Sequence, residues 1–175
     1  MRTRSSLILA LLLAPAACAG PVETRINAAG AGVAQGQPLM WAPLPVGTGE
    51  EAAQARAALG TALGTQGYRL IDDAPLMLTF GLSERPAHIG LATGQDAALS
   101  PHKRRRLLQS CADRMLRLSI SIIDRASGET RYLGSAEEAH CRAGLGDALP
   151  RLSRMAVAEM ARPSGEQVRF SAARD

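Results

Sequence analysis

The sequence predicts an α+β two-layer sandwich, a mainly antiparallel sheet with two helices packed on one face. Three observations predict it. Leu116, Leu118, Ile120 and Ile122 alternate with Arg117, Ser119, Ser121 and Ile123, which is the period of a half-buried strand. Two segments, around Ala52–Leu63 and Leu149–Met160, carry apolar residues at helical spacing instead. The order strand, helix, several strands, helix then segregates helices from sheet.

Along the chain, Val22, Thr24 and Ile26 share one parity and predict a short first strand from Pro21, followed by an Ala/Gly/Gln-rich loop over 27–37. The loop glycines Gly30, Gly32 and Gly36 do not have dinucleotide-binding spacing, so no cofactor is expected. Pro38–Pro43 is a brief apolar run bounded by prolines and reads as a strand. Thr48 with Glu51 predicts a capping box opening a helix, whose stripe Ala52, Ala55, Leu59, Ala62 and Leu63 is narrow enough to lie close on a sheet. Gly67 supplies the left-handed stop. Tyr68–Ile71 is extended and Asp72–Pro75 a turn. Leu76, Leu78, Phe80 and Leu82 form the apolar face of the next strand.

Periodicity fades over 84–113, an excursion that holds the concentrated charge Lys103, Arg104, Arg105 and Arg106 beside His102. After the Leu116–Ile122 strand, Asp124–Gly128 turns the chain and Thr130–Ala136 returns as its hairpin partner. Asp147 or Leu149 lies near the cap of the second helix, with Pro150 in its first turn. Gln167–Phe170 is a closing edge strand, and 171–175 a frayed tail. The whole of 38–170 is one domain, consistent with 175 residues of which 46% are hydrophobic.

The N-terminus determines the compartment. Arg2 and Arg4 precede Leu7–Leu13 and then small residues, the order of a secretory signal, which makes 1–17 a leader and 18–37 the anchor and N-terminal segment. A membrane span needs about 20 apolar residues, and this run is shorter and is broken by Pro15. Two processing routes fit. Ala16–Ala17–Cys18–Ala19 resembles a bacterial lipobox, with Pro15 where an aliphatic residue is usual. Cys18 would then carry a diacylglycerol and an acylated amine, palmitate included, and two or more chains hold a protein stably on a membrane. The other route is ordinary cleavage after Ala19, which yields a soluble periplasmic protein. A Cys is an unusual choice in a small-residue cleavage region, which favours lipidation, and Ala19 resembles an outer-membrane sorting signal.

Export changes how charge and sulfur are read. Loss of Arg2 and Arg4 leaves 18 basic against 16 acidic residues, so the mature chain is nearly neutral. With 3% aromatic residues and export from the cytosol, nucleic acid is not an expected partner. Cys111 and Cys141 remain as an even pair in an oxidising compartment and are expected to form a disulfide.

No catalytic signature is present. G-x-S-x-G does not occur, C-x-x-C and H-x-x-x-H spacings are missing, and imidazole is confined to His88, His102 and His140. Cys141 beside His140 does not make a nucleophile pair, because neighbours in a strand face opposite ways. No catalytic, metal or cofactor-binding residue is therefore assigned.

The lipobox-like start, Pro38–Leu39–Met40–Trp41–Ala42–Pro43, Gly67–Tyr68–Arg69, Asp73–Ala74–Pro75, Asp124–Arg125–Ala126–Ser127–Gly128 and Ser164–Gly165–Glu166 together resemble the bacterial lipoproteins of the domain of unknown function 4136 family, over about Val22 to Phe170. The resemblance implies an envelope lipoprotein with an α/β sandwich and supplies no catalytic residues. The Cys111–Cys141 pair and the basic excursion lie outside what it implies.

The functional expectation is a non-enzymatic, lipid-anchored cell-envelope protein, on the outer membrane facing the periplasm, with a binding or adaptor role. The basic run Lys103–Arg106 is its candidate contact for anionic lipid or polymer, and a sheet edge or face its candidate contact for an envelope protein. The alternative is an exported periplasmic hydrolase with a site improvised from His140, Glu137 and Glu138.

Overall fold

A computed structural model describes residues 21–92, 98–103 and 111–174. Cys18 and its leader, and Arg104, Arg105 and Arg106, lie outside the described residues. The chain runs β1 (Pro21–Ala29), β2 (Pro38–Trp41), α1 (Glu50–Thr65), β3 (Arg69–Leu70), β4 (Leu76–Pro86), β5 (Leu91–Ala92), β6 (Ala98–Ser100), β7 (Arg114–Asp124), β8 (Thr130–His140), α2 (Leu145–Ala158) and β9 (Gly165–Arg174).

Seven strands form one sheet in the order β3-β2-β4-β7-β8-β1-β9, and β5 and β6 pair separately. Among the described residues only β2 pairs in parallel, with β3 and β4, because the helix α1 carries the chain back before β3 is laid down. The architecture is the predicted α+β sandwich. One sheet face is apolar: Leu39, Leu78, Leu116, Leu118, Ile122 and Ala136 pack in a single cluster with Leu59 and Leu63 of α1 and Leu149, Leu152 and Val157 of α2. The other face carries Thr79, Ser119, Ser121 and Ser135, as expected of an antiparallel sheet with one wetted side. Gly134 makes room inside the core. A Cβ there would stand 2.5 Å from the ring of Tyr132, whose buried hydroxyl donates to the Ala156 carbonyl at 2.7 Å.

Several boundaries differ from the sequence reading, each for a local reason. The Thr48–Glu51 capping box does not form. Gly49 is the N-cap, and the Thr48 hydroxyl turns back to the Pro45 carbonyl. The stop at Gly67 does form: its φ is +82°, and its N–H and that of Tyr68 donate to the carbonyls of Gly64 and Leu63, closing the last turn.

The first strand continues to Ala29, because β8 supplies partners as far as Leu133. Likewise β4 continues to Pro86 opposite Arg114, so the excursion leaves the sheet at 87, three residues later than predicted. α2 starts at Leu145, with the Asp147 carboxylate accepting the Gly144 N–H at 3.1 Å, which places Pro150 inside the helix and not in its first turn. The terminal strand pairs with β1 out to Pro21↔Arg174, so 171–174 is strand and not tail.

Candidate functional site

Strand direction collects the chemistry of this protein at one end of the sheet. Pro86, Arg114 and His140 are register partners across β4, β7 and β8, and Glu138 pairs with Thr24 near the start of β1. The excursion leaves and re-enters at this same end. The Lys103 N–H donates to the Ala87 carbonyl at 2.7 Å, the Ala87 N–H donates to Asp113 at 2.9 Å, and the Lys103 ammonium sits 2.6 Å from the Asp113 carboxylate. A disulfide joins Cys111 to Cys141 with their Cα atoms 5.7 Å apart, tying the return of the excursion to the end of β8.

The consecutive Glu137 and Glu138 are both buried but on opposite faces, because side chains alternate along β8. On the wetted face, the Ser100 hydroxyl, fully buried, lies 2.7 Å and 2.9 Å from the two Glu137 oxygens. An Arg85 guanidinium donates in turn to that hydroxyl, and Arg117 stands 3.9 Å from the carboxylate. This network fastens the excursion to the sheet.

On the helix face, Glu138 is 0% exposed and meets four groups. The Thr24 hydroxyl donates at 2.5 Å, Arg151 Nε at 2.6 Å and Arg151 Nη2 to the second oxygen, and His140 Nε2 lies 2.9 Å away. His140 Nε2 also lies 3.2 Å from Arg151 Nη2, so its role as donor to the carboxylate or acceptor from the guanidinium is set by the tautomer. Arg151 is the one member on α2, and its planar fork locks that helix to β8 and β1.

Burial alone pushes the Glu138 carboxyl up. The hydrogen bonds of His140, Arg151 and Thr24, with the Arg151 charge, override it and bring the pKa from its ordinary 4.5 down to about 2. A folded-state value below the unfolded one means that folding sheds protons, so the stabilisation is complete above pH 4.5 and is lost as pH falls toward 2. Its size is on the order of 3 kcal/mol. The urea midpoint is therefore expected to drop steeply across this window, and Glu138→Gln to flatten the drop. An equally steep drop in the variant would assign it to other carboxylates.

The residues weighed for hydrolysis converge only in part, His140 on Glu138. Glu137 and Glu138 are separated by the sheet, His140 is 2% exposed and bonded to Glu138, and His88 and His102 are surface groups. Among the described residues no three His, Cys, Asp or Glu side chains cluster as a metal site. A groove of about 490 Å³ between the helices is lined by Gln54, Ala58, Thr61, Leu149, Pro150 and Arg154, with no imidazole or carboxylate in its wall. Of the basic run, Lys103 is described, and its ammonium is engaged with Asp113. The reading of the sequence missed Thr24 and Arg151 as partners of Glu138. The available signal was two adjacent carboxylates extending an otherwise apolar strand.

No family model and no curated protein matches the chain. Among the described residues no helix is long and apolar enough to cross a membrane. The fold class, a sheet with helices on one face, recurs in solved structures. The PelC dodecamer from Paraburkholderia phytofirmans superposes with a TM-score of 0.50 at 11% identity, covering 79% of this chain and 99% of that one. A PDZ domain protein from Parabacteroides distasonis gives 0.52 at 9% identity, covering 85% of this chain and 39% of that one. At these identities the likeness is one of fold.

Proposed function

We propose that this chain is a non-enzymatic, lipid-anchored cell-envelope protein of the domain of unknown function 4136 type. It is held through Cys18 on the outer membrane, faces the periplasm, and acts as a binding or adaptor module. The observation that carries this reading is that β1 begins at Pro21, three residues after Cys18, at the sheet end where the excursion also emerges. Three residues span about 10 Å at most, so an acyl anchor on Cys18 holds that end at the bilayer surface. In sequence the run Arg104–Arg106 falls between two residues fastened at this end, Lys103 and Cys111, and it is the contact we propose for anionic head groups or an envelope polymer. A protein partner would add at β9, whose outer edge pairs with no strand among the described residues, and the PelC neighbour is an instance of this fold in an assembly.

The intact mass of the mature protein, before and after reduction, tests the anchor and the disulfide together. Three acyl chains on Cys18 are expected, whereas an unmodified chain starting at Gly20 would make the protein soluble in the periplasm. The basic run is tested in Cys18→Ser protein, where no acyl chain masks the contact. Replacing Arg104, Arg105 and Arg106 by Ser is expected to weaken sedimentation with phosphatidylglycerol vesicles and reduce its salt sensitivity. Each cation contributes roughly 1 kcal/mol near such a surface, so the loss should approach a hundredfold. Unchanged sedimentation would discard the contact.

A further inference from the structure

We propose that the sheet end beside Cys18 is itself a membrane-docking surface, on which Phe170, Ile89 and Leu91 enter the interface of an anionic bilayer and Arg142 meets its phosphates. The proposal rests on the lipid anchor and adds to it an orientation and a second, side-chain contact. Phe170 is 70% exposed on β9, opposite Glu23 of β1 and so five residues from the anchor site. Ile89 and Leu91 are 46% and 44% exposed, on the excursion just beyond Pro86. Val46, Ile71 and Leu133 are exposed away from this end as well, so it is the tether that singles out Phe170, Ile89 and Leu91 as the apolar side chains brought to a bilayer. The polar interface of one leaflet is about 5–8 Å deep and the tether at most about 10 Å long, so the start of β1 is held within it or a few ångströms from it.

Charge agrees with an anionic surface. The carboxylates at this end are engaged: Asp113 with Lys103, Glu84 with Arg114, Glu23 with Arg25, and Asp147 on the Gly144 N–H at the start of α2. Arg142, exposed directly after Cys141, makes no ion pair among the described residues and offsets Asp147, so the positive excess at this end comes from Arg85 and Arg117 around the single carboxylate Glu137.

The protein carries its own control. Its single tryptophan, Trp41, pairs at Leu78 of β4, eight residues or about 26 Å along that strand from Pro86. Lipidated protein is reconstituted into phosphatidylglycerol vesicles with brominated acyl chains, as wild type and as Trp41→Phe/Phe170→Trp. Roughly half or more of the emission from position 170 is expected to be quenched, because an interfacial side chain reaches about 5–10 Å into the boundary, while Trp41 stays bright. Ile89→Trp in the Trp41→Phe background reads the second apolar position, so one poorly folded variant leaves the other to decide. Quenching at these positions no greater than at Trp41, with the acyl mass present, overturns docking and leaves the anchor standing. Absence of the acyl mass overturns both.

Discussion

Arg151→Ala is expected to lower the free energy of unfolding by about 3–5 kcal/mol, the usual consequence of removing one partner from a buried ion pair. Glu138 is fully buried and would keep only Thr24 and His140 as partners, with its charge no longer matched. The loss would be read as a lower urea midpoint at pH 7 in oxidised protein. Arg151→Lys should recover little of it, since an ammonium cannot donate through Nε and Nη2 at once to the two carboxylate oxygens. The double variant Glu138→Leu/Arg151→Leu should lie much closer to wild type, because no buried charge then lacks a partner. If Arg151→Ala and the double variant are equally destabilised, the pair contributes through packing and not through charge.

Replacing Cys111 and Cys141 by Ser is expected to cost about 3.5 kcal/mol on the chain-entropy estimate for a loop of 30 residues. The loss has a local component as well. Ser100 and Lys103 hold the excursion to the sheet through Glu137, Ala87 and Asp113, and the disulfide is the covalent tie that closes this set. Hydrogen exchange should therefore accelerate first at the Ala87 and Lys103 N–H groups, ahead of the β7–β8 pairing. Uniform acceleration across the domain would mean that the bridge acts only on the unfolded chain. Both experiments are independent of the anchor.

Much of the sheet was legible because strand parity is a local property. Val22, Thr24 and Ile26, or Leu116 to Ile122, declare their buried side without reference to any partner. The aliphatic stripe of α1 and the Gly67 stop are of the same kind, since helix spacing and a positive φ are set within a few residues. Where the reading stopped short, at Ile26, Ser83, Ala136 and Phe170, the strand continued because a neighbour distant in sequence offered backbone partners. The missing capping box at Thr48 is the converse case, in which a nearby carbonyl took the hydroxyl that the pattern assigned to the helix.

The candidate site divides along the same line. The leader-like start, the Cys18 motif, the even cysteine pair and the basic run are patterns of composition and spacing, and no fold is needed to see them. That β1 starts at the end of the sheet where the excursion departs, and that Glu137 fastens the excursion while Glu138 binds α2, are properties of strand direction and order. Local sequence specifies which face a side chain takes, because that depends on one residue's neighbours. Which distant groups meet there depends on how seven strands are ordered, and only the packed sheet sets that.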